Sequence, residues 1–259
     1  MDLGLKGKSV VITGGATGIG KAIALEYLRE GAFVSVCCRT KEKLLNFAKE
    51  CDEMGFSIDT YVCDVSKAND LADFGAAVAK KHGIDIWINN AGTNIHHLLT
   101  EYTREEYDTI VNTNLFGVYE GSRIAAKYMI SQGRGGVIAN ASSWSVKIPH
   151  TESALYAATK CAVSSLTRTF AATLAPYNIR TFSYVPGFIV TEFSRGLAEN
   201  NHDNLVANIA QHRLGTPEDV AKIVVFNSSD AASYVTGCDI EMSGGKYAVQ
   251  NTGYSWDRV

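Results

Sequence analysis

Tyr156 and Lys160 stand four residues apart in a long amphipathic stretch, so a helix there presents both on one face. An ammonium held beside a phenol favours the phenolate and lowers the tyrosine pKa from about 10 toward the range of a working general acid/base. Ser143, thirteen residues before Tyr156 at the mouth of an apolar run, could hold a carbonyl oxygen, and Asn114 lies in the helical stretch before that. Taken singly, a surface Tyr–Lys pair, a capping serine and a mid-helix asparagine each have an ordinary structural explanation. Their joint occurrence in this order is what suggests proton transfer at a substrate oxygen.

A second group of residues could hold an anionic cofactor. Thr13-Gly14-Gly15-Ala16-Thr17-Gly18-Ile19-Gly20 joins a short β-branched run to a helical pattern. Glycines at 14, 18 and 20 let the chain turn tightly and let a pyrophosphate approach backbone N–H groups at the positive end of the helix dipole. The spacing departs from Gly-x-Gly-x-x-Gly, but the loop sits between a strand and a helix, where such a motif acts. Asn89-Asn90-Ala91-Gly92 follows a later apolar run.

These residues need a scaffold that gathers strand ends, and the sequence alternates short apolar runs with amphipathic stretches. Strands are expected at Ser9–Ile12, Val34–Cys37, Ile58–Cys63, Ile84–Asn89, Gly136–Ala141, Ile179–Val185 and Cys238–Met242. Between the first two, Ile19, Ile23, Tyr27 and Leu28 fall on one helix face. Thr40 is placed to cap the next helix, whose inner face carries Leu44, Phe47 and Ala48. Thr103-Arg104-Glu105-Glu106 forms a capping box opening a long helix through Leu115, a further helix runs from Ala154 to Ala175, and Thr216-Pro217 starts another. Right-handed crossovers wind such a series into one doubly wound, seven-stranded parallel α/β sheet with helices on both faces. Ligands then bind beyond the carboxyl ends of the strands. No linker or repeat divides residues 1–259, which read as a single domain.

Composition narrows the function classes. The 259 residues carry 24 Lys+Arg against 27 Asp+Glu, a net charge of −3 that offers no basic excess for nucleic acid. A hydrophobic share of 46% is that of a folded protein, and no apolar run approaches the roughly 20 residues that span a bilayer. The N-terminus lacks the pattern of a signal peptide, so the expected location is the cytoplasm. Cys37, Cys38, Cys51, Cys63, Cys161 and Cys238 form no Cys-x-x-Cys pair, and no His cluster has zinc-ligand spacing. They are expected to be reduced core residues, with neither metal nor disulfide.

Together these motifs resemble the short-chain dehydrogenase/reductase family over nearly the whole chain, from Gly7 to about Gly245. The resemblance rests on the glycine loop, Asp64-Val65, Asn89-Asn90-Ala91-Gly92, Asn114, Ser143, Tyr156/Lys160, Pro186-Gly187 with Thr191, and Gly244-Gly245. It implies a Rossmann fold, a homotetramer or dimer, and hydride exchange between a nicotinamide cofactor and a carbonyl or secondary alcohol. It implies that Tyr156 handles the substrate proton, Lys160 lowers its pKa and holds the nicotinamide ribose, Ser143 polarises the carbonyl, and Asn114 supports a water-linked relay. Gly14, Thr17, Gly18, Ile19 and Gly20 would cradle the pyrophosphate, Asp64 and Val65 flank the adenine, and Asn90, Ala91 and Gly92 line the cofactor. Pro186, Gly187, Ile189 and Thr191 would hold the carboxamide end. Where relatives that use NAD carry an acid after the second strand, this chain reads Cys37-Cys38-Arg39-Thr40-Lys41, so Arg39 and Thr40 suit the 2′-phosphate of NADP(H).

The resemblance places His96, His97, Trp144, Ile148, His150, Phe188 and the stretch 193–208 around a small-molecule substrate. Aromatic and aliphatic walls suggest a bulky cyclic ketone such as a hydroxysteroid. A sugar acid or polyol, or a 3-oxoacyl group on an acyl carrier protein, are the alternatives. For the carrier, Lys127 is a candidate contact, but Tyr177 stands where a second base is expected. A catalytically silent NADPH-binding partner protein is disfavoured, because Asn114, Ser143, Tyr156 and Lys160 are all present. The tail 245–259, with Tyr247, Tyr254 and Trp256, is expected to pack on a neighbouring subunit or near its pocket.

Overall fold

Strands β1 (Ser9–Thr13), β2 (Phe33–Cys38), β3 (Asp59–Val62), β4 (Ile86–Asn89), β5 (Gly136–Ala141), β6 (Ile179–Pro186) and β7 (Asp239–Met242) pair in the order β3-β2-β1-β4-β5-β6-β7. Every pairing is parallel. The computed structural model describes residues 2–258 other than residue 193. All five residues of β1 are buried, as a central parallel strand covered on both faces requires.

Helices α1 (Gly18–Arg29), α2 (Lys41–Glu53), α3 (Ala68–His82), α4 (Arg104–Val111), α5 (Gly117–Gln132), α6 (Ala154–Leu174), α7 (Arg195–Asn200), α8 (His202–Val206) and α9 (Pro217–Ser228) complete the chain. On one face Ile23, Tyr27 and Leu28 of α1 pack with Leu44 and Phe47 of α2 and Val220 and Val224 of α9. On the other, Leu71, Phe74 and Val78 of α3 meet Ile124 and Met129 of α5 over Trp87. The strand order reverses between β1 and β4, which sets a ligand crevice beyond their carboxyl ends.

The expected capping box forms, and a second appears where only an N-cap threonine was expected. The Thr103 hydroxyl accepts from the Glu106 N–H while the Glu106 carboxylate accepts from the Thr103 N–H, and Thr216 and Asp219 repeat the exchange. Two local expectations change. Thr40 occupies the N-cap of α2 without any side-chain cap bond. The long helix that begins at Arg104 is interrupted by a π-helical turn, Asn112–Phe116, before α5 resumes it. The cysteines are free thiols, but Cys161 is exposed and Cys38 and Cys238 are only half-buried, so they are not uniformly core residues. Among the described residues, no helix is long and apolar enough to cross a membrane.

Candidate active site

The glycine loop between β1 and α1 is packed so closely that Gly14 and Gly20 have no room for a side chain. Gly14 and Gly18 adopt φ of +64° and +54°, a region that favours glycine. A Cβ at Gly14 would lie 2.9 Å from Ala91 Cα, and one at Gly20 would lie 2.3 Å from the Gly14 carbonyl oxygen. The result is a bare cradle at the N-terminus of α1, with Thr17 at the N-cap in extended conformation. That fits a dinucleotide pyrophosphate.

Side chains then tie this loop to the end of β4. The Thr13 hydroxyl accepts the N–H groups of Asn90 (3.0 Å) and Ala91 (3.1 Å). Asn90 Nδ2 donates to the Gly14 carbonyl, and Asn90 Oδ1 accepts from the Tyr184 hydroxyl at 3.0 Å. Behind them, buried Asn89 accepts from Trp87 Nε1 at 2.7 Å and donates to Asn140 Oδ1 at 2.8 Å and Ser122 Oγ at 2.9 Å. A buried amide with its donors and acceptors matched holds three elements in one register. Asn140 and Tyr184 were not expected from the sequence; Thr13 was read as the start of the glycine loop, without this tie to the end of β4.

The four chemistry-bearing residues converge across β5, α6 and the π-helical turn. Asn114 is fully buried, and its amide grips Thr93 on both sides: Oδ1 accepts the Thr93 N–H and Nδ2 donates to the Thr93 carbonyl, each at 2.8 Å. Nδ2 also reaches Thr159 Oγ1 at 3.3 Å, one residue before Lys160. Lys160 is 2% exposed, and its ammonium donates to the Ala141 carbonyl at 2.8 Å, two residues before Ser143. A Cβ at Gly92 would sit 3.4 Å from Asn114 Oδ1 and 3.5 Å from Lys160 Nζ, so both atoms face the space that this glycine leaves open.

Lys160 Nζ lies 5.5 Å from the centre of the Tyr156 ring. Burial lowers the Lys160 pKa from 10.5 to about 8. Burial also raises the Tyr156 phenol, against a lowering hydrogen bond with Ser143, so the net shift is upward. The expectation that the adjacent lysine lowers this phenol is therefore not met, because burial sets the direction of the shift. Desolvation dominates both groups, and the ammonium faces a backbone carbonyl.

Arg39, just past β2, is exposed, and no acid occupies positions 37–41. Half-buried Asp64 is pushed up by burial, but hydrogen bonds from the Ser66 hydroxyl and N–H, aided by the charges of Arg39 and Lys67, hold it below the usual carboxylate value. Val65 is buried against Gly117. At the other end, a Cβ at Gly187 would lie 2.8 Å from Ser243 Cα, placing Pro186-Gly187 tightly on the end of β7. A Cβ at Gly18 would meet Thr191 Cγ2 at 3.4 Å, so the two ends of the cofactor groove approach each other there. Ile189 is buried and bridged to Gly215, and the Thr191 N–H donates to Ser194 Oγ at 2.9 Å.

The substrate-side residues are only partly as expected. His96 and His150 are exposed neighbours with ring centres 6.0 Å apart, and His96 Nδ1 lies 3.2 Å from Ser153 Oγ. His97 instead turns to α4, its Nε2 2.9 Å from Glu106 Oε1. Trp144 is not an open apolar wall. It is 6% exposed, stacks on Tyr247 at 5.4 Å and lies under Lys246. Phe188 is half-buried, Ile148 is exposed, and Phe193 lies outside the described residues. The tail folds back over its own chain: Trp256 Nε1 donates to the Ala210 carbonyl at 3.0 Å and its ring stacks on His212 at 5.0 Å.

Comparison with known proteins agrees with this architecture. The family model for short chain dehydrogenase matches residues 8–202. The 3-oxoacyl-[acyl-carrier-protein] reductase FabG of Thermotoga maritima is 38% identical over 242 residues, covering 93% of this chain and 98% of the relative. FabG of Staphylococcus epidermidis is 33% identical, covering 93% and 99%. A short-chain type dehydrogenase/reductase from Mycobacterium marinum superposes with a TM-score of 0.90 at 35% identity, over 95% of this chain and 97% of the other. A chain described as an NAD(P)-dependent gluconate 5-dehydrogenase from Beutenbergia cavernae, with NADP bound at low occupancy, superposes with a TM-score of 0.90 at 31% identity, over 96% and 100%. With its glycine cradle, crevice and Ser143–Tyr156–Lys160 geometry, this chain belongs to the short-chain dehydrogenase/reductase family, oxidoreductases that use nicotinamide cofactors.

Proposed function

We propose that this protein is an NADP(H)-dependent reductase of a 3-oxoacyl-type carbonyl, running in reverse as an alcohol dehydrogenase. The observation that carries the cofactor choice is the end of β2, where Arg39 is exposed and no acid stands to repel a 2′-phosphate. A bound nicotinamide cofactor supplies or accepts the hydride. The rest is work for this chain's residues. Ser143 holds the substrate oxygen and Tyr156 gives or takes its proton. Lys160, titrating near 8, recharges Tyr156 through the space it shares with Asn114 at Gly92. Gly14, Gly18, Gly20, Asn90 and Thr191 shape the groove in which the cofactor lies.

The substrate choice follows the wall and the relatives. Trp144 is covered by Tyr247 and Lys246, so one of the aromatic walls that suggested a steroid is not open to a substrate. The reductases of 3-oxoacyl groups described above are similar along nearly the full chain. Lys127 and Tyr177 are both exposed, which leaves the carrier contact one base short and favours the 3-oxoacyl group itself over its carrier.

The cofactor reading is tested by kcat/KM for NADPH and NADH in wild type and Arg39→Asp. NADPH is expected to be preferred, and the variant should lose roughly 1–3 kcal/mol of NADPH binding through a lost charge-assisted contact and added repulsion. Equal use of NADH by the wild type would overturn it. We also propose a homo-oligomer, most simply a tetramer. Two separate apolar faces support it: Tyr119 beside Phe170 on α5 and α6, and Ile223, Phe226 and fully exposed Tyr234 around α9. Sedimentation at micromolar concentration should give a multiple of the 28.0 kDa chain, and a clean monomer would reject it.

A further inference from the structure

Lys246 follows Gly244-Gly245, and its ammonium lies over two rings stacked on each other, 4.9 Å from the centre of Trp144 and 5.9 Å from that of Tyr247. Trp144 is the residue directly after Ser143. The backbone of Lys246 is bridged antiparallel to Ile209, in the segment that follows α8. That bridge is reinforced on both flanks, where the Gln211 N–H donates to Gly244 at 3.0 Å and the Tyr247 N–H to Asn208 at 2.8 Å. The backbone of Lys246 is thus tied to the segment around Ile209, while its ammonium rests on the ring of the residue that follows the carbonyl-holding serine.

Among the described residues no carboxylate pairs with Lys246, whereas Lys21, Lys49, Lys81 and Lys147 each have one. The acid nearest in sequence, Glu241, is engaged by Lys147 and accepts from Ser243 Oγ at 2.5 Å. Half-burial works against the charged form of Lys246, and two aromatic faces offset only part of that cost. A cation held in a cleft wall without a partner is a receptor for a negative group brought by a ligand.

We propose that Lys246 is an anion subsite of the catalytic cleft, and that the substrate is an oxo acid whose carboxylate rests on Lys246 while its ketone oxygen rests on Ser143 and Tyr156. This rests on the carbonyl-reductase part of the reading above, with NADPH as reductant, and replaces its acyl ester by the free oxo acid. Trp144, which carries Lys246 on its ring, directly follows Ser143, so the carboxylate belongs a few carbons from the carbonyl. A free acid would then be favoured over the same carbon skeleton as an ester, because only the acid restores a partner to the buried ammonium.

The test pairs 3-oxobutanoate, 4-oxopentanoate and 5-oxohexanoate with their methyl esters, using the full chain and NADPH. Wild type is expected to show a kcat/KM at least about 10-fold higher for the acid of best length than for its ester, mostly in KM. Lys246→Gln should bring that acid-to-ester ratio near one, and Lys246→Arg should retain it. Binding of the same six compounds to the NADPH-loaded enzyme, followed by quenching of tryptophan fluorescence, reads the preference whether or not a compound is turned over. Wild type that binds and reduces esters as well as acids overturns the proposal and leaves the reductase reading standing. A preference that survives Lys246→Gln also overturns it. Acids that bind in preference to esters while no compound is reduced support the subsite and count against the reductase reading.

Discussion

Replacing Lys160 by Met should make the cofactor-free protein more stable near neutral pH relative to wild type than it is at high pH. Lys160 is 2% exposed with its ammonium on the Ala141 carbonyl, and burial lowers its pKa from 10.5 to about 8. At roughly 1.4 kcal/mol per pH unit, keeping this group charged costs the folded state on the order of 3 kcal/mol below pH 8. The folded pKa is depressed, so between about 8 and 10.5 the unfolded chain holds more protons than the folded one, and wild-type stability must rise with pH across that window. Methionine fills a similar volume and does not titrate. It forfeits the bond to Ala141, worth about 1–3 kcal/mol at every pH, so the offset at neutrality is small and the slope carries the information. Urea unfolding of both proteins at equal concentration and pH 7, 8, 9 and 10 gives the difference directly. The Met variant should lose about 2–3 kcal/mol relative to wild type between pH 7 and 10. Parallel stability curves would refute the claim that a buried, strained ammonium sits at this position, and with it the argument that Lys160 is poised to exchange protons.

Two further substitutions address the chemistry and the cradle. Tyr156→Phe keeps the ring but removes the proton-carrying hydroxyl, so turnover at saturating NADPH should fall by at least about 10²-fold with NADPH affinity nearly unchanged, as read by nucleotide fluorescence; a variant keeping most of its turnover removes Tyr156 from the mechanism. Gly20→Ala places a Cβ 2.3 Å from the Gly14 carbonyl oxygen and 2.5 Å from Asn90 Nδ2, so it should destabilise the fold by roughly 1–3 kcal/mol and weaken NADPH binding about 10-fold or more. Thermal melting and nucleotide titration check both effects, and unaltered NADPH affinity would show that the loop is not the pyrophosphate cradle.

Much of this protein was legible along the chain because it depends on near neighbours in sequence. Buried parallel strands read as unbroken apolar runs, and two capping boxes are four-residue devices, so β1, β5, α4 and α9 follow from local chemistry. The glycine cradle was legible for the same reason: a φ of +64° at Gly14 is a demand on one residue. The Tyr156–Lys160 face is set by helical period alone. Other features involve residues distant in sequence. Trp144 looked like an open wall until Lys246 and Tyr247, a hundred residues on, were found covering it. His97 looked like part of the pocket until α4 brought Glu106 to it. Asn114 looked like a mid-helix asparagine, and neither its π-helical turn nor its grip on Thr93, 21 residues away, shows in helical spacing. The sign of the Tyr156 shift was misjudged along the chain because spacing records the nearby ammonium and not the desolvation imposed by surrounding elements. Residue type and spacing therefore determined which groups could do chemistry. Tertiary structure decided how deeply each is buried and what it faces, because desolvation and pairing depend on segments that meet only in the folded chain.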